Sequence, residues 1–404
     1  MTLLGPKALT LRARALPAAA APDRLARADQ AAACVWIAFR PAGLAAPERE
    51  RLRRIGSARF SAFLPPGVAP GGEPGEPEGL FACGREELER AAGELEAARV
   101  FLAAADALAR APAEPALMGV VNVTPDSFSD GGLYLDPARA VEHGLRLEAE
   151  GAAILDVGGE STRPGAESVP AATELGRVLP VVAGLARASR ARISIDTSKA
   201  EVARAALDAG ATMVNDVSAG RADPALLPLV AEHGCDYVLM HMQGHPRSMQ
   251  ADPRYRDPVA EVCDFLRERA AACLNAGIEA QRLVVDPGIG FGKRLVHNLE
   301  LLRRLPELRS LGRPVCVGVS RKSFIAHATG RLRPEDWVRN RPGNGVEDRA
   351  GGSAAAVAIC VLGGAEILRV HDVARMAEAA AVARGVARPE RFASDSSSRP
   401  GKGG

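Results

Sequence analysis

Short apolar runs that alternate with longer helical patterns dominate the chain from Leu117 onward. Each run is followed by a polar or glycine-rich stretch and then by a segment rich in Ala, Leu, Arg and Glu. By length and spacing, the runs predict eight strands: Met118–Val123, Ile154–Val157, Arg192–Asp196, Met213–Asp216, Tyr237–Met240, Leu283–Asp286, Val315–Val319 and Ile367–Val370. Helices are predicted between them, for example over Pro137–Glu150, Lys199–Ala209, Pro258–Ala276 and Arg349–Leu362.

This alternation selects a fold class. Strands and helices that alternate over about 270 residues are typical of an α/β chain folded as a (β/α)8 TIM barrel. A doubly wound sheet is the competing architecture, but no G-x-G-x-x-G sequence opens the first helix. The pattern therefore favours the barrel.

The residues before the predicted barrel differ from it in composition. The first part of the chain is rich in Ala, Arg and Pro, and the Gly, Pro and Glu residues between Pro65 and Glu78 predict a loop. A strand is predicted at Ala33–Phe39 and a helical stretch at Arg85–Leu108, which suggests a small α/β domain. The expected division is an N-terminal appendage of unreadable function at 1–113, the barrel at 114–388 and a disordered tail at 389–404.

Composition narrows the partners. The 404 residues carry a formal charge of +2, with 47% hydrophobic and 25% charged residues, so neither nucleic acid nor a membrane is an expected partner. The sequence shows no convincing signal peptide and no apolar run of about 20 residues. Seven cysteines without a C-x-x-C pair indicate reduced thiols, for which the cytoplasm is the simplest compartment.

The residues with chemical potential lie at the carboxyl ends of the predicted strands. These ends are Asn122–Gly132, Asp156–Gly165, Asp196–Lys199, Asn215–Asp216, Met240–Gly244, Asp286–Lys293, Gly318–Ser323 and Arg369–Asp372. In a closed barrel they share one face, the face that carries the active site in this architecture. The convergence of polar groups there predicts a catalytic cavity.

Three of these stretches together carry a family resemblance. The sequences N-V-T-P-D-S-F-S-D-G-G, G-G-E-S-T-R-P-G and S-R-K-S resemble those of dihydropteroate synthases, and the likeness spans about Leu117 to Ala383. The pterin-binding barrel is shared with corrinoid-dependent methyltransferases, so the fold alone does not decide the activity. The two long loops and the S-R-K-S sequence favour the synthase, which condenses a dihydropterin-methyl diphosphate with 4-aminobenzoate and releases diphosphate.

The resemblance implies a set of residues that bind the pterin diphosphate. They are Thr162, Asp196, Asn215, Val217, Met240, Asp286, Phe291, Gly318, Lys322, Arg369 and His371. Carboxylates and an amide can read the donor and acceptor edge of a pterin, while arginine suits phosphate oxygens. Val217, Met240 and Phe291 would line the apolar slot for the ring.

Further roles follow from the same resemblance. Phe128, Thr162, Arg163, Pro164 and Ser323 match the 4-aminobenzoate pocket, which sulfonamides also occupy in this family. Asp196, Lys322, Arg369 and Asp130 match catalytic positions, and Asn122 matches the asparagine that contacts Mg²⁺. An amide carbonyl is a hard oxygen ligand that suits Mg²⁺ held mostly by diphosphate and water. The implied chemistry is displacement at the pterin methylene carbon, without a covalent enzyme intermediate.

The resemblance also implies a homodimer, because family members associate through helices late in the barrel. The chain departs from a minimal family member in its N-terminal appendage and in a longer segment between Arg331 and Glu347. The longer segment could alter the expected dimer surface.

Each candidate residue has a simpler explanation when it is taken alone. Asp196 could be a loop residue near a helix cap, Asn122 could satisfy loop backbone, and Arg369 could form a surface ion pair. At the level of the whole protein, a corrinoid-dependent methyltransferase and a catalytically silent pterin-binding paralogue are the two alternatives. The intact residues of both long loops argue against the silent paralogue.

Overall fold

The protein is described by a computed structural model over residues 12–16, 34–40, 47, 51–52, 54, 79–110, 113–124, 136–162, 168–331 and 349–390. The predicted loop at 65–78, most of the 331–347 segment and the tail from 391 lie outside these ranges. Among the helices described, none combines the length and hydropathy that a membrane-spanning segment requires.

Eight parallel strands form a nearly closed barrel, as the sequence predicts. The strands are β4 Ala116–Asn122, β5 Ile154–Gly158, β6 Arg192–Asp196, β7 Met213–Asp216, β8 Asp236–Met240, β9 Leu283–Asp286, β10 Cys316–Gly318 and β11 Ile367–Val370. Around the barrel their order is β10-β11-β4-β5-β6-β7-β8-β9, and a bridge between Val285 and Val315 joins the last strand to the first.

Helices follow each barrel strand. They are α3 Pro137–Ala149, α4 Ala171–Ala188, α5 Ala200–Asp208, α6 Leu226–His233, α7 Pro258–Asn275, α8 Leu295–Arg303, α9 Ser323–Ala328, α10 Ala350–Leu362 and α11 Val373–Ala387. Asp136 caps α3 by accepting a hydrogen bond from the Ala138 N–H at 2.9 Å, and Asp257 caps α7 in the same way. The short helix α9 is an addition to the predicted elements.

Alternation along the strands divides the core into two layers. Residues such as Leu155 and Val157 point outward and join the helices in the main apolar core. The alternate positions point into the barrel, where an apolar layer fills its lower part: Met118, Ile154, Met213, Val238, Val284, Cys316 and Ile367. This layer closes the barrel interior below the strand ends.

Strand register brings the polar strand ends to one level. Asn122 lies opposite Gly158, Gly158 opposite Asp196, and Asp196 opposite Asn215. On the other side of the barrel Gly318 lies opposite Arg369. The register therefore places these residues around one opening at the carboxyl end of the barrel.

A separate apolar core forms before the barrel. Strands β1 Arg12–Leu16, β2 Cys34–Arg40 and β3 Gly79–Gly84 make an antiparallel sheet in that order, followed by helices α1 Arg85–Ala92 and α2 Glu96–Ala109. The sequence predicts a helical stretch over Arg85–Leu108, and the structure divides that stretch into these two helices. The chain breaks at Gly93 and turns extended at buried Leu95, because glycine is a poor helix former.

The N-terminal unit contacts the barrel at the end opposite the polar strand ends. Helix α2 packs against the 3₁₀ helix Leu305–Leu311, which leads into the start of β10. A guanidinium N–H of Arg309 also donates to the carbonyl of Arg110. The unit therefore covers part of the amino-terminal face of the barrel.

Candidate active site

An ionic cluster occupies the barrel interior just below the strand ends. Arg369 on β11 donates from Nε to Asp156 at 2.7 Å and from Nη2 to Asp196 at 2.8 Å. Asn215 donates from Nδ2 to the same oxygen of Asp156 at 3.0 Å. Both carboxylates and the amide are buried, and Arg369 keeps 22% of its side chain exposed. Asp196 is the last residue of β6 and not a loop residue, and the N-cap of α5 is Lys199.

A second charged pair flanks the cluster. Asp286 at the end of β9 accepts the N–H of Gly288 at 2.6 Å. Lys322 donates from Nζ to the carbonyl of Ile289, and the same nitrogen lies 4.8 Å from the centre of the Phe291 ring. A lysine in this position presents its charge beside an aromatic face and a carboxylate.

Burial changes the charge state of these groups. Desolvation raises the pKa of Asp196 to about 7, partly opposed by Arg369, while the nearby Asp156, Glu174 and Asp216 add to the increase. Burial lowers the pKa of Lys322 to about 8, against the attraction of Asp286. Titratable groups shifted toward neutral pH inside a barrel mouth are characteristic of functional sites.

Asp156 and Asp196 also change the pKa of the guanidinium of Arg369. Desolvation acts to lower the pKa of Arg369, but Asp156 and Asp196 outweigh it and raise that pKa above its ordinary value. Desolvation raises the pKa of Asp286, with Lys322 opposing the increase. The guanidinium of Arg369 therefore stays charged.

An apolar surface adjoins the charged groups. Val217, Met240 and Phe291, three residues expected to line a ring slot, form one cluster with Met242 and Met249. Methionine adapts its shape to flat aromatic ligands, and Phe291 retains partial exposure. The cluster supplies a flat apolar wall beside the ionic cluster.

Two glycines after β9 allow the chain to approach this wall. Gly288 has a φ of 65°, and a Cβ there would collide with the carbonyl oxygen of His241. Gly292 has a φ of 59°, and a Cβ there would collide with the carbonyl oxygen of Gln243. Only glycine combines a positive φ with this close approach of two loops.

The loop after β10 holds Lys322 through an unusual backbone conformation. Arg321 has a φ of 60°, which is rare for a residue with a side chain. Its N–H donates to Ser353 Oγ at 3.0 Å, and its carbonyl accepts from Arg349 Nη1 at 2.9 Å. Its guanidinium pairs with Asp372, with Nε to Oδ2 at 3.0 Å. Contacts from two later elements thus fix the residue that precedes Lys322.

The remaining expected residues lie around the same opening. Asn122 ends β4 and Thr162 follows β5, and both are half-buried. His371 follows β11, where its N–H donates to Ser320 Oγ at 3.3 Å, and Gly318 ends β10. Ser323 is the first residue of α9. Phe128, Asp130, Arg163 and Pro164 lie outside the described residues.

Several residues of the site lie in the predicted strand-end stretches, but the sequence assigns them no individual role. Lys199 donates to Glu160 and, at 2.5 Å, to the fully buried Glu174, which ties the loop after β5 to helices α4 and α5. Asp156 lies two positions after the inward-facing Ile154 in an otherwise apolar strand, so the two-residue period of a strand predicts that it also points inward. That alternation was the one available indication of its inward position.

A buried lysine links the two loops that carry the apolar wall. Lys293 is fully buried and donates from Nζ to the carbonyls of Gly288 and Phe291, each at 2.9 Å. The same nitrogen lies 2.8 Å from His241 Nδ1, and desolvation lowers the pKa of Lys293 well below its ordinary value. The lysine joins the loops after β8 and β9 into one unit.

These features define a class: a (β/α)8-barrel enzyme that accommodates a flat polar ring and an anionic group at its carboxyl-terminal face. The sequence matches the family described as pterin binding enzyme over residues 118–371. The chain belongs to this family.

Known relatives agree with this assignment. A dihydropteroate synthase from Mycobacterium leprae is 51% identical over 263 residues, covering 64% of this chain and 88% of that protein. The dihydropteroate synthase of Yersinia pestis, solved with a sulfonamide drug complex, has a TM-score of 0.62 and 40% identity over 68% of this chain and 94% of that one. The Xanthomonas albilineans dihydropteroate synthase with 4-aminobenzoic acid has a TM-score of 0.60 and 48% identity over 69% and 94% of the two chains.

Proposed function

We infer that this chain is a transferase of folate biosynthesis that catalyses the dihydropteroate synthase reaction. It joins (7,8-dihydropterin-6-yl)methyl diphosphate to 4-aminobenzoate and releases diphosphate, giving 7,8-dihydropteroate. The observation that carries the inference is the meeting of Arg369, Asp196 and Asn215 in one buried cluster beside an apolar wall. That arrangement occurs in a chain 51% identical to a dihydropteroate synthase.

Pterin recognition is proposed at the ionic cluster. The pyrimidine edge of a pterin carries N–H donors next to ring acceptors, which matches carboxylates placed beside an amide. Asp196 and Asp286 would accept from the ring, Asn215 would complete the edge, and Lys322 would donate to an acceptor. The ring itself would lie against Phe291 and Met240, whose cluster supports a flat ligand.

The bond-breaking step needs stabilisation at both ends of the breaking bond. The C–O bond at the pterin methylene breaks, and its electron pair leaves with the diphosphate. Arg369 and His371 are proposed to bind the departing oxygens, because a guanidinium fork suits phosphate. Asp196 and Asp286, when ionised, favour the positive charge that develops on the pterin. The arylamine nitrogen then forms the new C–N bond and loses its proton.

The arylamine is proposed to enter from the side of Thr162 and Ser323, which lie at the opening of the barrel. Phe128, Arg163 and Pro164 complete this pocket in the proposal. The sulfonamide and 4-aminobenzoic acid complexes of the Yersinia and Xanthomonas synthases support an arylamine pocket in this family. The enzyme is accordingly proposed as a sulfonamide target.

Magnesium is proposed as the metal cofactor, with Asn122 as its protein ligand. The side chain is half-buried at the end of β4, so its amide oxygen suits a hard cation near the opening. A single amide oxygen leaves the other positions to diphosphate oxygens and water, a mode that Mg²⁺ accepts readily. The ion would neutralise charge on the leaving diphosphate.

A homodimer in the cytoplasm is proposed as the working form. Three adjacent helices expose large apolar side chains: Val296 and Leu299 on α8, Ile359 and Leu362 on α10, and Val382 and Val386 on α11. An exposed apolar surface of this kind supports association with another copy. The buried, reduced thiols of Cys235, Cys316 and Cys360 support a reducing compartment.

One assay tests the reaction. Purified protein is given the pterin-methyl diphosphate and Mg²⁺, with and without 4-aminobenzoate, and diphosphate release and dihydropteroate are measured together. Release that requires the arylamine and yields dihydropteroate is expected. Pterin binding without arylamine-dependent release contradicts the proposal, and binding of methyltetrahydrofolate is then measured to test the methyltransferase alternative.

A further inference from the structure

Asp156 is a buried carboxylate to which no role has been given so far. It is fully buried on β5, and its Oδ2 accepts hydrogen bonds from both Arg369 and Asn215. Its other oxygen, Oδ1, is buried without a hydrogen-bond partner among the described residues. A buried carboxylate with one unsatisfied oxygen costs stability, so a functional reason for its presence is expected.

Depth separates Asp156 from the residues that meet substrate. On the neighbouring strand Asp156 lies opposite Ser194, whereas Asp196, two residues further on, lies opposite Gly158. Asp156 therefore sits one inward-facing position below Asp196. A ligand that enters from the carboxyl end reaches Asp196 first, and Asp156 stays beneath it.

The difference in depth between Asp156 and Asp196 matters when a bound substrate displaces one of the hydrogen bonds of Arg369. The guanidinium donates to Asp196 and Asp156 by different nitrogens. A pterin ring that forms hydrogen bonds to the carboxylate of Asp196 competes with the bond that Arg369 Nη2 donates to it. The bond from Nε to Asp156 is out of reach of the ligand, so it can hold the guanidinium plane in every state of the cycle.

We propose that Asp156 is a positioning residue that keeps Arg369 oriented toward diphosphate and Asn215 oriented toward the pterin while Asp196 changes partners. The proposal rests on the synthase activity inferred above. In this proposal Asp156 Oδ2 links Arg369, which binds the diphosphate, to Asn215, which recognises the pterin ring.

The test uses Asp156→Asn in the full chain. The amide oxygen can occupy the place of Oδ2, so the variant removes the charge with little change in shape. We expect the KM for the pterin diphosphate and the Kd for inorganic pyrophosphate with Mg²⁺ to rise roughly tenfold, because a charge-assisted bond becomes a neutral one. Simple loss of a negative charge would do the opposite and tighten anion binding.

A pH profile gives a second readout, because it reports the effect of the Asp156 charge on Asp196. Asp196 is faced by Arg369 from β11, Asp156 from β5, Glu174 from α4 and Asp216 from β7, and Asp156 raises its pKa. The acid limb of kcat/KM should therefore move to lower pH in Asp156→Asn. The matched control is Ser194→Ala, which changes a buried side chain at the same depth on the next strand.

The outcomes are separable. An unmodified chain without arylamine-dependent turnover refutes the proposed function. A normal unmodified enzyme, together with a folded Asp156→Asn that binds pyrophosphate equally or more tightly, refutes only the role of Asp156. If that variant does not fold, NMR of the unmodified enzyme labelled with ¹⁵N-arginine decides. The Nε–H signal of Arg369 should stay protected when pyrophosphate and a pterin are added, and its loss overturns the proposal.

Discussion

Asp196 shares a small volume with other acidic groups, and this crowding controls its charge. Burial and the neighbouring carboxylates raise its pKa to about 7, although Arg369 lies within hydrogen-bond distance. In the opposite direction, burial brings the pKa of Lys322 down to about 8. The proposed pterin recognition needs an ionised Asp196 and a protonated Lys322. Both conditions hold together only in a narrow range of pH.

A bell-shaped pH dependence is therefore expected. The value of kcat/KM for the pterin diphosphate should rise as Asp196 ionises near pH 7 and fall as Lys322 loses its proton near pH 8. Steady-state rates from about pH 5 to 10 measure it. In Asp196→Asn turnover should fall about 100-fold or more, and the acid limb should vanish. An unchanged acid limb in this variant contradicts the role given to Asp196.

Stability should depend on pH through the same carboxyl group. A carboxyl group whose folded pKa is raised stabilises the fold most below its unfolded pKa, and the contribution is lost as pH rises from 3.8 to about 7. Asp196→Asn should flatten the part of the stability curve in this window, measured as Tm against pH. The replacement should leave the protein folded, and a Tm that falls equally at every pH would contradict this account.

At the scale of elements, the junction between β10 and α9 shows how two distant segments fix one residue. The first turns of α10 supply Ser353 and the preceding Arg349, which bond both backbone polar groups of Arg321. Asp372, beside His371, binds its guanidinium. The left-handed conformation of Arg321 is therefore held from α10 and from the end of β11.

Ser353→Ala tests this arrangement. The change removes one hydrogen bond to the Arg321 N–H, which should cost about 1 kcal/mol of stability and loosen the loop that carries Lys322. We expect the KM for the pterin diphosphate to rise about fivefold, with a smaller change in kcat. Ser189→Ala is the control, since it removes the hydrogen bond to Glu148 at the other end of the barrel. Equal kinetic effects of the two variants would contradict the expectation.

The limits of sequence reasoning are visible in the same elements. Apolar runs of four to six residues predict the barrel strands, because the strands of a parallel sheet are buried on both faces and form nearly continuous hydrophobic runs. The family resemblance implies a shared site for Asp196, Asn215 and Arg369, and the structure places the three in one hydrogen-bonded cluster. The bond from Arg349 to Arg321 joins residues 28 positions apart through one side-chain rotamer, which no local pattern encodes. The two-residue period of a strand predicts that Asp156 points inward, but it does not predict the hydrogen-bond partners of Asp156.

For the whole molecule, the uncovered apolar side chains of α8, α10 and α11 bear on assembly. Ile359 is 46% exposed and Val382 is 69% exposed, on two helices that pack against each other. In the strand order, β6, which precedes α5, lies four strands from β10 and three strands from β11. Their burial against a second copy would remove apolar surface from water and stabilise a dimer.

The double variant Ile359→Asp with Val382→Asp should be a monomer, because burying unpaired carboxylates in an interface is costly. Sedimentation velocity measures the mass, and Glu201→Lys on α5 is the control that should remain dimeric. A monomeric unmodified enzyme, or a double variant that stays dimeric, contradicts the proposed interface.

The two glycines after β9 have a consequence for drug resistance. Any side chain at Gly288 or Gly292 meets the carbonyl oxygen of a neighbouring loop, so selection has no substitution to use at either position without moving both loops. An inhibitor that contacts this turn would bind a surface that a single substitution at either glycine cannot change without displacing backbone. Escape would have to arise elsewhere around the barrel opening.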